Sequence, residues 1–233
     1  MRFETPLTEA RLLRRYKRFL ADVEIPGQGE LTVLCPNPGS MLGLADPGSR
    51  IWLSESDSPT RKYRHTWELL EVDGGIVGIN TNHPNAIAEE AIAAGAVPEL
   101  TGYESLRREV KYGENSRIDV LLENPGGARC YVEVKNVHLM REPGLAEFPD
   151  SVTKRGAKHL RELSAMVEEG HRAVMFYLVQ RGDCDRFTIA EDIDPGYAEA
   201  LRDARDRGVE AICYSCNLRP DAIELAAPVE IVF

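Results

Sequence analysis

No stretch of this 233-residue sequence approaches the roughly 20 consecutive apolar residues of a membrane-spanning helix, so a helical anchor is not expected. The first residues, MRFETPLTEARLL, carry no apolar stretch after the first basic residue and two early glutamates, unlike a secretory signal. A cytoplasmic protein without membrane contact is therefore expected. Cysteine is scarce: the five residues, Cys35, Cys130, Cys184, Cys213 and Cys216, are odd in number and scattered. That pattern suits reduced thiols rather than a disulfide framework. Cys213 and Cys216 form a CxxC inside the apolar run AICYSCNL, but no second pair completes a zinc site, and both read as small core residues. Positive charge is in deficit, with 28 basic against 38 acidic residues and a net charge of −10. The molecule as a whole is no polyanion binder, so any nucleic-acid site must be local. No helix-turn-helix, internal repeat or low-complexity segment is evident.

What is present is an ordinary globular composition, 43% hydrophobic and 28% charged. Up to about residue 80, strand-like runs such as ELTVLC, RIWLSE, TWELLEV and GIVGIN alternate with turn signals such as IPGQGE, CPNPGSMLGLADPGS and VDGG. Short, evenly spaced strands predict a small antiparallel barrel over residues 1–80. From residue 81 to 233 helices and strands alternate, which predicts an α/β domain. NAIAEEAIAAGAVPEL reads as a short helix ended by Gly95. FPDSVTKRGAKHLRELSAMVEEG reads as a longer one, capped by Asp150 or Ser151, with Val152, Leu160, Leu163 and Val167 inward and Gly170 at its end. AVMFYLV is apolar on both faces, as in a central covered strand. A last helix begins with Asp194 as cap and Pro195 in its first turn.

The segment SRIDVLLENPGGARCYVEVKNVHL predicts a hairpin bent around Pro125–Gly127. Side chains alternate along a strand, so Glu133 and Lys135 share one face while Val132 and Val134 share the other. With the bend centred on Gly126, Asp119 falls opposite Glu133, and directly opposed Cβ atoms lie roughly 4.5–5.5 Å apart. Two carboxylates at that spacing repel unless a positive charge lies between them, which makes Asp119 and Glu133 candidate ligands for Mg²⁺ or Mn²⁺. Lys135 could then hold an attacking water or stabilise charge on a phosphate. Glu90, three residues after Ile87 and flanking the apolar stripe of the short helix, is the preferred third metal ligand, with Glu109 as its rival. The competing reading is a solvated mixed-charge hairpin face with charges paired diagonally. His159 alone reads as a helix-surface or core histidine.

Two basic patches interleave with aromatics. EARLLRRYKRFLADV places Arg11, Arg14, Arg15, Lys17 and Arg18 around Tyr16, and RKYRHTW adds Arg61, Lys62 and Arg64. Such patches can neutralise phosphates and stack bases, or simply cover apolar surface with arginine stems. Arg155 and Lys158, near the start of the long helix, are further candidates for phosphate contact.

RYKRFLADV, CPNPGSM, RKYRHTWEL, EVKYGENSRIDVLL, YVEVKNV, FPDSVTKRGAKHLREL and GVEAICY run in order along nearly the whole chain. Together they resemble the sugar fermentation stimulation protein A family, with Pro38 standing where that family more usually has Thr after CPN. The resemblance implies an oligonucleotide-binding (OB) barrel joined to a PD-(D/E)XK nuclease-like α/β domain, and DNA binding linked to sugar, notably maltose, metabolism. Asp119 matches the Asp of the nuclease motif, and Glu133 and Lys135 match its ExK, with Ile118 in the place of the motif's Pro. Three functional expectations follow: a DNA-binding protein of low sequence specificity, a Mg²⁺- or Mn²⁺-dependent endonuclease, or a transcriptional effector acting through another protein.

Overall fold

The structure is a computed structural model describing residues 1–113, 115–127 and 129–232. Strands β1 (Thr8–Tyr16), β2 (Leu20–Ile25), β3 (Gly29–Leu34), β4 (Arg50–Glu55), β5 (His65–Val72) and β6 (Gly75–Gly78) form one sheet. Its order is β3-β2-β1-β4-β5-β6, and a parallel pairing of Leu34 with Thr66 joins β3 to β5, closing the first five strands into a barrel. Alternation does the rest: Ala10 and Leu12 of β1, Ala21 and Val23 of β2, and Ile51 and Leu53 of β4 fill the interior with Trp67. Lys17 and Arg18 occupy the three-residue β1–β2 turn with φ of 48° and 63°, in the left-handed region.

The remainder is α/β. Helix α1 (Pro84–Ala93) is followed by β7 (Ser105–Tyr112), β8 (Ser116–Glu123), β9 (Cys130–Val137), β10 (Leu139–Glu142), β11 (Leu145–Phe148) and α2 (Lys154–Glu168). Then come β12 (Arg172–Val179), β13 (Arg186–Ile189), α3 (Pro195–Asp206), β14 (Glu210–Arg219), β15 (Ala222–Pro228) and β16 (Glu230–Ile231). The main sheet has the order β15-β14-β12-β9-β8-β7, with β12 parallel to both β9 and β14. A smaller sheet, β10-β11-β13-β16, flanks it. Helix α1 covers one face through Ile87, Ala88, Ala91 and Ile92 against Val132, Val134, Val174 and Phe176. Helices α2 and α3 cover the other through Leu160, Leu163, Tyr197 and Leu201 against Tyr131, Met175 and Tyr177. The expected fold class, a β-barrel followed by an α/β domain, is the one observed.

Several local expectations need correction. Thr153, not Asp150 or Ser151, caps α2 by accepting from the Gly156 N–H at 3.1 Å. Val152 precedes the helix and is exposed rather than inward. Met1 and Phe3 do not join the barrel; they lie against β15, where the Phe3 N–H donates to the Asp221 carbonyl at 3.1 Å and the Met1 ammonium to that of Ile223 at 2.8 Å. Both CxxC cysteines are buried and free, Cys213 beneath α2 and α3 and Cys216 on the opposite face. Among the described residues no helix is long and apolar enough to cross a membrane.

Asp150 instead joins the two domains. Its Oδ2 accepts from the Met41 N–H at 3.1 Å and lies 3.4 Å from His138 Nε2, while its carbonyl accepts from Ser40 Oγ at 2.6 Å. The 36–41 loop comes so close that a Cβ on Gly39 would fall 2.3 Å from Asp150 Oδ2. From β1 Arg15 grips the same loop, donating to the carbonyls of Asn37, Gly39 and Ser40 at 2.8, 2.9 and 3.2 Å. Burial alone would raise the Asp150 carboxyl, yet the His138 imidazole and the Met41 N–H hold it down at about 2. A carboxyl lowered on folding stabilises above its unfolded pKa and loses that contribution as pH falls toward the folded value. In urea unfolding, wild type should therefore exceed Asp150→Asn by about 2 kcal/mol at pH 5, the gap closing between pH 4 and pH 2.

Candidate active site

Asp119 sits where the sheet opens on both sides. The β7–β8 ladder pairs Arg108 with Val120 and Val110 with Ile118 but skips Glu109 and Asp119. Glu109 has φ of 53°, a left-handed conformation that is strained for a glutamate, and its side chain faces solvent. The β8–β9 ladder ends at Val120 and Val132, one residue short of the pair Asp119 and Glu133. The register is the one expected from a bend at Gly126, which adopts φ of 66°. At the opening the Asp119 side chain substitutes for the missing backbone partner: Oδ2 accepts from the Val134 N–H at 2.8 Å. Oδ1 accepts from Asn85 Nδ2 at 2.8 Å. Both oxygens are thereby fixed in direction.

Glu133 is almost wholly buried. Its Oε1 accepts from Lys135 Nζ at 2.6 Å and from His159 Nδ1 on α2. Arg155 Nε donates to His159 Nε2 at 3.2 Å, which leaves the ring proton on Nδ1, aimed at the carboxylate. Glu133 Oε2 is buried and has no hydrogen-bond partner among the described residues. Electrostatics separates the two acids. Burial would raise Glu133, but Lys135 and His159 draw it below the usual carboxylate range. Burial and then the Glu133 charge push Asp119 up to about 6.

An open cleft of about 770 Å³ is lined by Lys111, Tyr112, Tyr131, Lys158, Arg161 and Glu162 among others, though by neither Asp119 nor Glu133. The Tyr112 hydroxyl is buried without a hydrogen-bond partner among the described residues, and Glu133, Glu162 and Asp119 all act on it to disfavour its ionisation beyond what burial does. Lys158 Nζ approaches Glu162 Oε1 at 3.5 Å along α2.

The chain's donor set fits a hard divalent cation in one respect: two carboxylates stand close enough for the charge of Glu133 to act on Asp119, and Glu133 Oε2 is an orphaned acceptor. Mg²⁺ commonly takes only one or two protein carboxylates and fills its remaining positions with water and phosphate. No cluster of three His, Cys, Asp or Glu side chains arranged for a metal occurs among the described residues. Glu90 does not complete one; its Oε2 lies 2.6 Å from the Met1 ammonium, pointing away from the pair because it falls on the outer face of α1. Asn85, five residues earlier and so on a different face of α1, is the side chain that reaches Asp119.

The basic candidates divide into engaged and free. Arg15 is consumed by the 36–41 loop, Arg14 pairs with Asp22 at 2.8 Å and lies over Tyr16, and Arg64 pairs with Glu55 at 3.1 Å. Arg11 donates to the Gly48 carbonyl at 3.2 Å, and Arg155 is committed to His159. Lys17, Arg18 and Arg61 are exposed, as is Lys62, whose ammonium lies 5.3 Å from the Tyr63 ring centroid. Asn85, Tyr112, the buried contact of His159, and Glu162 carry no sequence signal of their own; all but Tyr112, on the neighbouring strand β7, arrive from elements distant in the chain.

A five-stranded barrel of OB type joined to an α/β domain with an Asp and an ExK at an opened sheet defines a two-domain, nuclease-like architecture. Sequence profiles agree: that of the SfsA N-terminal OB domain matches residues 13–79, and that of the sugar fermentation stimulation protein RE domain matches residues 82–222. The chain is 63% identical over 223 residues to the sugar fermentation stimulation protein homologue of Rhodospirillum centenum, covering 96% of each. It is 58% identical over 231 residues to that of Agrobacterium fabrum, covering 99% of this chain and 97% of the relative. The fold matches SfsA of Pyrococcus furiosus, solved in complex with Ca²⁺, with a TM-score of 0.90 and 28% identity, over 100% of this chain and 98% of that one. The chain belongs to the sugar fermentation stimulation protein family.

A carboxyl raised on folding contributes stability below its unfolded pKa and loses it as pH climbs through the folded value. With EDTA present, wild type should lose about 2 kcal/mol between pH 4 and pH 7 relative to Asp119→Asn, read as the difference in urea unfolding free energies.

Proposed function

We propose that this protein binds DNA in the cytoplasm with little sequence preference and cleaves phosphodiester bonds with Mg²⁺ or Mn²⁺ held by Asp119 and Glu133. The observation that carries this reading is the unpartnered, buried Glu133 Oε2 beside an Asp119 whose two oxygens are already aimed by Val134 and Asn85. A buried carboxylate oxygen left without a donor costs about 1–3 kcal/mol or more, a cost that a cation removes. The Ca²⁺ in the Pyrococcus furiosus relative supports a divalent ion in this family. Such an ion supplies a polarised phosphate and a more acidic water.

The chain's own groups do the rest. Lys135, tethered to Glu133 Oε1, presents its remaining protons to a phosphate oxygen that gains charge. His159 and Arg155 hold Glu133 in one orientation from below. Lys111, Lys158 and Arg161 line the cleft as contacts for the phosphates that flank the scissile one. Lys17, Arg18, Arg61 and Lys62 extend the cationic surface over the barrel. The link to sugar metabolism in the relatives' names would be exercised, in this reading, through the DNA that is bound or cut.

Incubation of duplex and single-stranded DNA with protein and Mn²⁺ should yield cleavage that Asp119→Ala abolishes while binding persists; cleavage equal in wild type and variant, or absent from both, would overturn the nuclease reading. Binding should weaken steeply with salt, and Lys17→Ala or Lys62→Ala should each reduce the log–log salt slope by about 1, alike for unrelated sequences.

A further inference from the structure

The barrel contributes a charged residue to its own packed wall. Glu68, on β5, is 3% exposed, where an unsatisfied carboxylate would cost several kcal/mol. It is satisfied by groups from β4 and from the connector between β6 and α1. Ser54 Oγ on β4 donates to Oε1 at 2.5 Å, Asn80 Nδ2 donates to Oε2 at 2.6 Å, and His83 Nε2 lies 2.7 Å from the same oxygen. Burial opposes the charge, yet these partners hold the Glu68 carboxyl below its ordinary value.

Two of the partners, Asn80 and His83, lie in the segment that leads from the barrel into α1. The Ile79 N–H donates to the Glu68 carbonyl at 3.0 Å, the His83 N–H to the Asn80 carbonyl at 3.3 Å, and the Ile87 N–H to the His83 carbonyl at 3.0 Å. His83 is thus both the residue at the helix start and a hydrogen-bonding partner of the barrel's buried carboxylate. Pro84 follows with its fixed φ, and the next residue is Asn85, whose amide donates to Asp119 Oδ1. Three consecutive residues, His83 to Asn85, connect a buried barrel carboxylate to the carboxylate of the acid pair.

We propose that Glu68 and His83 are positioning residues for the acid pair: by pinning the start of α1 to the barrel they place the Asn85 amide on Asp119, and so set the cation affinity of the site. This rests on the reading of Asp119 and Glu133 as cation ligands. A hydrogen-bond donor behind a ligating carboxylate fixes its direction, and loss of such a donor commonly costs 10- to 100-fold in metal affinity.

The test is a Mn²⁺ titration of the full chain by electron paramagnetic resonance, with thermal melting recorded for every variant. Wild type should bind and Asp119→Ala should not. Asn85→Ala should weaken Mn²⁺ about tenfold and Glu68→Gln by a similar factor, while the double variant should be no weaker than Asn85→Ala alone, because both changes act through one contact. Should Glu68→Gln fail to fold, His83→Ala breaks the same link from the helix side and leaves Glu68 held by Ser54 and Asn80. A lowered melting temperature with unchanged Mn²⁺ affinity would overturn the proposal, as would losses that multiply to about a hundredfold in the double variant. Identical titrations of wild type and Asp119→Ala would instead overturn the cation-site reading itself, before any barrel variant is consulted.

Discussion

The Val134 N–H donating to Asp119 Oδ2 is the contact on which the site depends. A strand residue normally satisfies its neighbour through the backbone. Here the ladders on either side of Asp119 have opened, and its side chain takes over the donor that the sheet would otherwise leave unpaired. The same carboxylate is held from the opposite side by Asn85. Asp119 is therefore a structural member of the sheet and a charge beside Glu133 at once. Lys135 and His159 compensate Glu133 while Asp119 retains a raised pKa. The sheet holds one stabilised and one destabilised acid because each is fixed by its donors, Glu133 by Lys135 and His159, Asp119 by the Val134 N–H and Asn85.

The two domains meet through polar contacts more specific than hydrophobic burial alone requires. Trp52 and Leu69 of the barrel share a core with α1 and the main sheet, which supplies non-directional adhesion. Direction comes from Asp150 against the 36–41 loop, from Glu68 on His83, and from the Gly78 N–H, which donates to the Gln180 carbonyl at 2.9 Å. Each buried carboxylate is tied to several donors at once, so sliding one domain over the other would strand a charge. Arg15 illustrates how such docking competes with function: set in a basic run that reads as a phosphate contact, it spends its donors on loop carbonyls.

Much of the architecture was legible because it rests on local rules. Alternation within VEVK assigned Glu133 and Lys135 to one face, and Gly126 fixed the register that sets Asp119 opposite Glu133, since hairpin register follows from the turn. Gly95, Asp194 and Pro195 marked helix ends as their backbone preferences dictate. Where local rules were degenerate the expectation went astray. Asp150, Ser151 and Thr153 are all competent caps, and only the competing demand of Met41 and His138 on Asp150 decides among them. Glu90, by its spacing from Ile87, suits a metal-facing helix position, yet it pairs with the amino terminus.

By itself the sequence determined the barrel and the α/β order, the hairpin register, and the meeting of Asp119 with Glu133, because each follows from periodicity, turn chemistry or spacing within a few dozen residues. Only the tertiary structure decided that Asn85 rather than Glu90 touches Asp119, that His159 supports Glu133 from α2, and that Arg15 is spent on a loop. Those contacts join residues 22 to 34 positions apart whose mutual approach is set by helix rotation and domain docking, and these are properties of packing that no local pattern encodes.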